Sequence, residues 1–161
     1  MLKKRIIILL LAGGTAVFLD RITKIWAVNN LKESREVYSY WNDFFRFVYA
    51  ENTGAFLSMG SGLSDNLRFL ALTVLPVLVL GYVLYFILFS KGLSTWQATA
   101  FSLILGGGAS NIYDRIMDGM VVDFMNMGLF GIRTGIFNVA DNAIMIGLFM
   151  MIFAMFKQKP D

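Results

Sequence analysis

The chain contains no cysteine and no histidine, and charged residues make up only 16% of its 161 positions. Each shortage removes chemistry. Without histidine or cysteine the usual zinc sites cannot form, and neither a Ser-His-Asp nor a Cys-His nucleophile is available. No disulfide framework is possible, so the redox compartment leaves no trace. The side chains able to titrate near neutral pH are carboxylates, perturbed lysines and tyrosines. The net charge of +3 is small, and no basic face with interleaved aromatics points to a nucleic-acid partner.

What the chain has in quantity is hydrocarbon. Apolar residues are 57% of the total, the mean hydropathy is +0.65, and the apolar residues fall in long runs rather than at amphipathic spacing. A soluble domain would be nearer half apolar and richer in charge. The pattern is that of an all-α membrane protein with four transmembrane helices. We read residues 1–161 as one integral membrane domain, with spans at about 5–28, 68–89, 95–113 and 137–156. The extracytoplasmic segments are then about 29–67 and 114–136.

Lys3, Lys4 and Arg5 precede the run IIILLLAGGTAVFL, which has the look of a secretory signal peptide. The helical pattern nevertheless continues through Asp20, Arg21, Thr23, Lys24 and Trp26, with no clear small-residue cleavage site before a soluble domain. The segment reads as a retained first helix whose amino end is cytoplasmic. Asp20 lies roughly 22 Å along the helix from Arg5, in the outer part of the membrane. Lys24 follows at i+4 on the same face, and a local ion pair holding the helix end is the plain explanation.

Residues 30–66 are polar enough to lie outside the membrane. Val37 to Val48 is rich in aromatic and β-branched residues around Asn42-Asp43, which predicts two short strands. Their aromatic residues Tyr38, Tyr40, Trp41, Phe44 and Phe45 suit the headgroup level. Asn52-Thr-Gly-Ala-Phe56 is either a turn presenting a side-chain amide or simply a loop. Phe69 to Phe89 is uncharged, with Pro76 able to kink it. Gly106, Gly107, Gly108, Ala109 and Ser110 permit close helix approach in the third span. Asn111, Asp114 and Arg115 follow at spacings that let them face one cavity.

The fourth span opens with Asn138, Asp141 and Asn142, and Lys157 and Lys159 follow it. Both termini are then cytoplasmic, and Asp20, Lys24, Asn111, Asp114, Arg115, Asp123, Asn138 and Asp141 all gather at the outer boundary. An ionisable residue in or beside hydrocarbon is costly and marks a functional site by default. Two carboxylates in one such place, Asp123 and Asp141, can share a proton, making one an acid and the other a base. Hydrolysis of a lipidic or membrane-spanning substrate is the economical use of such a pair. Arg115 and the amides of Asn52, Asn111 and Asn138 could orient carbonyls or the carboxylates.

The chain resembles the lipoprotein signal peptidases, the type II signal peptidases of bacteria. The match rests on Asp20-x-x-Thr-Lys24, Asn52-Thr-Gly-Ala-Phe56, GGGASNIYDR from Gly106 to Arg115, Val121-Val-Asp-Phe124, and Phe137-Asn-Val-Ala-Asp141. The resemblance implies four membrane helices with a small extracytoplasmic β-sheet cradle. It implies an aspartic endopeptidase of the bacterial inner membrane, cutting the signal peptide of a diacylglyceryl-modified prolipoprotein just before the lipidated cysteine. Its partners would be that precursor and membrane lipid, with no cofactor, no metal and no nucleic acid. By this resemblance Asp123 and Asp141 are the catalytic pair. Asn52, Gly54, Asn111, Arg115 and Asn138 contact substrate or support the pair, and Asp20, Lys24 and Asp114 are structural. One departure is Ser110, where the family usually has glycine; its bulk should narrow the approach of the third helix.

Two other classes of function fit some of these residues. A small transporter could use Asp123, Asp141 and Arg115 as an ion path, which needs polar groups through the full bilayer depth. A metal-dependent lipid-processing enzyme could use Asp114, Asp118 and Asp123 as oxygen ligands for magnesium. A catalytically dead relative that only binds lipoproteins would not need both aspartates.

Overall fold

The structure is a computed structural model that describes residues 1–34, 36–55 and 59–157. Phe56 and Lys159, which entered the sequence reading, lie outside the described residues. Four long helices carry the fold: α1 (Leu2–Leu31), α2 (Asp65–Phe89), α3 (Thr95–Asp118) and α4 (Val139–Lys157). The helix positions agree with the four apolar runs, but their ends move. α1 runs three residues further at each end than expected, and α3 continues past 113 to Asp118. Gly119, in the left-handed conformation at φ 71°, stops α3 with its N–H on the Arg115 carbonyl.

Three of the four helices, α1, α2 and α4, are long and apolar enough to cross a membrane. Leu10, Leu11 and Phe18 on α1, Leu78 and Tyr82 on α2, and Phe149 and Met155 on α4 are largely exposed on the outside of the bundle. A soluble protein does not leave so much contiguous apolar surface bare. α3 is as long as a span, about 36 Å, but too polar to be counted with the other three. Its position explains the difference: α3 packs against α1, α2 and α4 at once, so its side chains meet protein on most sides.

Three successive glycines make that central position possible. A methyl on Gly106 would run into the Gly13 backbone of α1, one on Gly107 into the Ala140 carbonyl of α4, and one on Gly108 into the Leu80 side chain of α2. Each glycine thus faces a different neighbour. Gly13 itself closes a wider, π-type turn, Leu9–Gly13, inside α1. A second such turn, Leu70–Val74, lies just ahead of Pro76 in α2, where the ring has no N–H for the preceding turn.

Outside the bundle lies one antiparallel sheet in the order β1-β2-β3-β4, comprising Tyr38–Tyr40, Phe45–Asn52, Val121–Leu129 and Ile132–Arg133. The expected hairpin is present, with Trp41, Asn42 and Asp43 all at positive φ in its turn. The second strand runs on to Asn52, four residues beyond the expected end. β3 and β4 were not expected, and they put Asp123, read as part of an extracytoplasmic segment, near the start of a central strand of the sheet. Ala50 stands opposite Asp123 and Asn52 opposite Val121, so Asn52 and Asp123 are diagonal neighbours on one face. The sheet rests on the carboxyl end of α1, where Ala27 and Leu31 are buried with Phe124 among Phe47, Tyr49, Val122, Met125 and Val139.

Backbone contacts with α1 and α4 make Gly106 and Gly107 less replaceable than Gly108. Gly107→Ala lowers the unfolding midpoint in detergent by the equivalent of about 1–3 kcal/mol. Gly108→Ala, which meets only the rotatable Leu80 side chain, stays close to the wild type. Equal melting of the two variants contradicts the packing described.

Candidate active site

The site is built around the first turn of α4. Asn138 is its N-cap: its Oδ1 accepts from the Asp141 N–H at 2.9 Å, while Asp141 Oδ2 accepts from the Asn138 N–H at 3.1 Å. This reciprocal pair is a capping box, and it fixes Asp141 by the chemistry of starting a helix. The other oxygen, Asp141 Oδ1, accepts from Asn111 Nδ2 of α3 at 2.9 Å. Asn138 then reaches across to β3 and donates from Nδ2 to Asp123 Oδ1 at 2.7 Å. Asp123 Oδ2 accepts from Asn52 Nδ2 at 3.0 Å.

Each of the four carboxylate oxygens therefore receives a neutral amide donor, one backbone and three from asparagine side chains. No cation bonds either aspartate directly among the described residues. Burial pushes the Asp123 carboxyl up to about 6 against the pull of the Asn52 bond, and the charge of Asp141 nearby adds to the rise. That places Asp123 within reach of a proton at neutral pH.

The Asn52 segment forms the amide-presenting turn. The Gly54 N–H donates to Asn52 Oδ1 at 2.9 Å, and Asn52 Nδ2 also donates to the Ala55 carbonyl at 3.2 Å. Arg115 Nη2 then takes the Gly54 carbonyl at 2.9 Å, tying the turn to α3. Arg115 thus positions the turn that positions Asn52. All three residues named for the resemblance at this point, Asn52, Gly54 and Arg115, fall within one chain of bonds.

Beneath the pair lies a second polar layer. The expected Asp20–Lys24 pair is present at 2.7 Å, but it is not a surface anchor, because both side chains are buried. Lys24 Nζ also lies 2.7 Å from Asp114 and donates to Asn111 Oδ1 at 2.9 Å. Asn111 thus joins the ammonium to Asp141. Asp114 is paired as well with Arg21, whose guanidinium also covers the Tyr113 ring. Asp20 Oδ1 accepts the Ala140 N–H at 2.8 Å, so a carboxylate from α1 satisfies a free donor at the start of α4.

Ser110 departs from the expectation of a steric cost. Its hydroxyl is buried and donates to Asp20 Oδ2 at 2.6 Å, so the side chain joins the network. The structure thus assembles all ten residues singled out in the sequence, and adds Ser110, Arg21 and the Ala140 N–H. Spacing alone gave no signal for Ser110, although a polar residue on a small-residue face next to Asn111 was visible. The three candidate magnesium ligands do not meet: Asp114 is committed to Lys24 and Arg21, and Asp118 is exposed. Among the described residues no group of three or more acidic residues stands close enough to hold a metal ion.

The bundle, the sheet and the buried carboxylates at their junction define a multi-pass membrane enzyme. Two solved structures share the architecture, both described as bacterial membrane enzymes. One is 25% identical at a TM-score of 0.77, covering 95% of this chain and 92% of that one. The other is 26% identical at 0.77, covering 94% of each. The family model for signal peptidase II matches residues 11–157, and the chain belongs to that family of peptidases. Proteins called lipoprotein signal peptidase are similar over most of their length. That of Nostoc punctiforme is 38% identical over 150 residues, covering 93% of this chain and 90% of the relative. That of Psychromonas ingrahamii is 37% identical over 143 residues, covering 88% and 80%.

The raised Asp123 carboxyl has a pH signature. Folding lifts it from 3.8 to about 6, so its contribution to stability is complete below about pH 4 and is lost as pH rises through 6. Asp123→Asn escapes that loss. Relative to the wild type, the variant gains about 2 kcal/mol between pH 4 and pH 7, read as a widening gap in detergent melting temperature. A gap that stays flat over this range contradicts the burial of an ionisable carboxyl here.

Proposed function

We propose that the chain is an aspartic endopeptidase that removes the signal peptide from diacylglyceryl-modified prolipoproteins, cutting before the lipidated cysteine. The observation that carries the reading is the pair itself: Asp123 and Asp141 share Asn138 as a common partner, and every oxygen is held by an amide. Amide donors keep the geometry without fixing the charge, so one proton can reside on either carboxyl. In the reaction the ionised carboxylate takes a proton from water as the water oxygen attacks the scissile carbonyl carbon. The protonated partner donates to the carbonyl oxygen. As the gem-diol collapses and the C–N bond breaks, the carboxyl that took the proton from water gives it to the leaving amine, and its partner recovers a proton from a gem-diol hydroxyl.

The finer topology belongs to the same proposal. α3 is a fourth span, and residues 1–161 form one integral membrane domain. Support comes from the end opposite the site, where Lys4 Nζ meets Thr95 at 2.8 Å and Arg5 Nη1 meets the Leu88 carbonyl at 3.1 Å. The start of α1, the end of α2 and the start of α3 therefore lie together, as four antiparallel crossings require. Lys3, Lys4, Arg5 and Lys91 mark that end as cytoplasmic. The site then faces the outer leaflet of a bacterial inner membrane, with both termini inside and Asp20, Lys24 and Asp114 as its structural support. A transport path loses support because the buried ionisable groups, Arg5 aside, gather at one end.

The test is cleavage of a diacylated precursor peptide by the purified protein in detergent. Asp123→Asn and Asp141→Asn each reduce turnover by about 10⁴-fold or more, the scale of losing a member of a catalytic unit, while both variants stay folded. EDTA leaves the wild type unchanged. Normal turnover in either variant, or loss of activity to the chelator, overturns the reading.

A further inference from the structure

A hydroxyl inside a helix ordinarily donates to the carbonyl four residues back, and Thr23, Thr99 and Ser102 all do so, to Leu19, Thr95 and Ala98. Thr73 does not. It is only 4% exposed, yet its side chain makes no hydrogen bond among the described residues. Thr73 lies in the π-type turn Leu70–Val74 of α2, where the ladder steps by five residues and the usual acceptor is displaced. A buried hydroxyl left without a partner is costly unless something else supplies one.

The residue lines a cavity of about 130 Å³ between the start of α2, the end of α3 and the Asn52 turn. That is several times the roughly 30 Å³ one water takes in the liquid. Asp65, Arg68, Phe69, Leu72 and Thr73 border it at the spacing of a single helical face. Arg115 borders it from α3. The Arg115 Nε is buried without a partner, and its guanidinium pairs with no carboxylate among the described residues. Arg68 has one: Nη2 donates to Asp65 Oδ1 at 2.6 Å, while Nη1 lies 3.5 Å from the Ser61 carbonyl. Two guanidiniums and one carboxylate leave the lining one negative charge short.

We propose that this cavity binds one glycerophospholipid, with Arg68 and Arg115 on its phosphodiester and the Thr73 hydroxyl on an ester carbonyl below. A phosphodiester carries the single negative charge the lining lacks, and the guanidinium fork matches phosphate oxygens. Basic pockets between membrane helices suit such headgroups. Thr73 stands about 7.5 Å further along α2 than Arg68, a step from phosphate toward glycerol ester. A lipid fits better than free phosphate because Phe69 and Leu72 make part of the lining apolar, and Leu67 and Leu70 beside them are exposed for acyl chains to follow. Through Arg115 the bound phosphate joins the bonds that hold the Gly54 carbonyl and the Asn52 turn. Only the placing of the site in the outer leaflet rests on the proposed topology.

The test is a titration of the full chain, stripped of lipid in a neutral detergent, with dioctanoyl phosphatidylglycerol. Binding to the folded state raises the melting temperature saturably. Arg68→Gln and Thr73→Val each weaken the apparent Kd about tenfold, a change worth roughly 1.4 kcal/mol. Dioctanoylglycerol, which has the chains without the phosphate, and inorganic phosphate, which has no chains, each bind at least about tenfold more weakly than the phospholipid. Wild-type affinity in either variant overturns the site, and assigns the lipid to the lysine-rich opposite end of the bundle. Dioctanoylglycerol binding as tightly as the phospholipid overturns the role of the guanidiniums. Inorganic phosphate binding as tightly overturns the lipid as the source of the phosphate. No arm needs turnover, so failure of the peptidase reading leaves each answer intact.

Discussion

Asn138 is the joint on which the site depends. Its Oδ1 accepts the Asp141 N–H while its Nδ2 holds Asp123 on β3, so one carboxamide links the first turn of α4 to the sheet. The capping box is a local device, worth about 1 kcal/mol in an ordinary helix. Here it also brings a helix carboxylate and a strand carboxylate to one place. Starting the helix and assembling the pair are the same event.

The buried ion network beneath serves the same junction from the other side. Asp20 receives the Ala140 N–H, Lys24 and Ser110, and Lys24 bridges Asp20 to Asp114 and to Asn111. Such a network adds little net stability compared with apolar packing of the same volume. Removing one partner leaves an uncompensated buried charge, at a cost of about 3–5 kcal/mol. Its effect is therefore to set register: α1, α3 and α4 fit together only where every charge finds its counterpart. The glycines of α3 permit that register by letting Gly107 approach the carbonyl of Ala140, the residue whose N–H Asp20 binds.

Much of this was readable in the chain because membrane helices announce themselves by composition and because polar residues inside them are conspicuous. Asp20, Lys24, Asn111, Asp114, Asn138 and Asp141 stand out against hydrocarbon. The strand holding Asp123 did not, because β3 pairs with a segment some seventy residues earlier and its register is invisible to a local reading. The signal was Phe130-Gly131 between two apolar stretches, a two-residue turn whose φ values are 51° and 82°. Ser110 was read by its volume when its hydroxyl decided its role, since the acceptor sits on another helix. α3 was read as a span at about 95–113 from its apolar run, although this helix is too polar to be counted with the other three.

The central claim is that Asp123 and Asp141 act as one electrostatically coupled site inside a buried junction. The most direct test is a carbon-13 NMR titration of the labelled Asp123 carboxyl in detergent, in the wild type and in Asp141→Asn. The account predicts that Asp123 titrates near 6 in the wild type and at a lower pH once the charge of Asp141 is removed. An Asp123 carboxyl that titrates in the ordinary aspartate range, indifferent to Asp141→Asn, contradicts it.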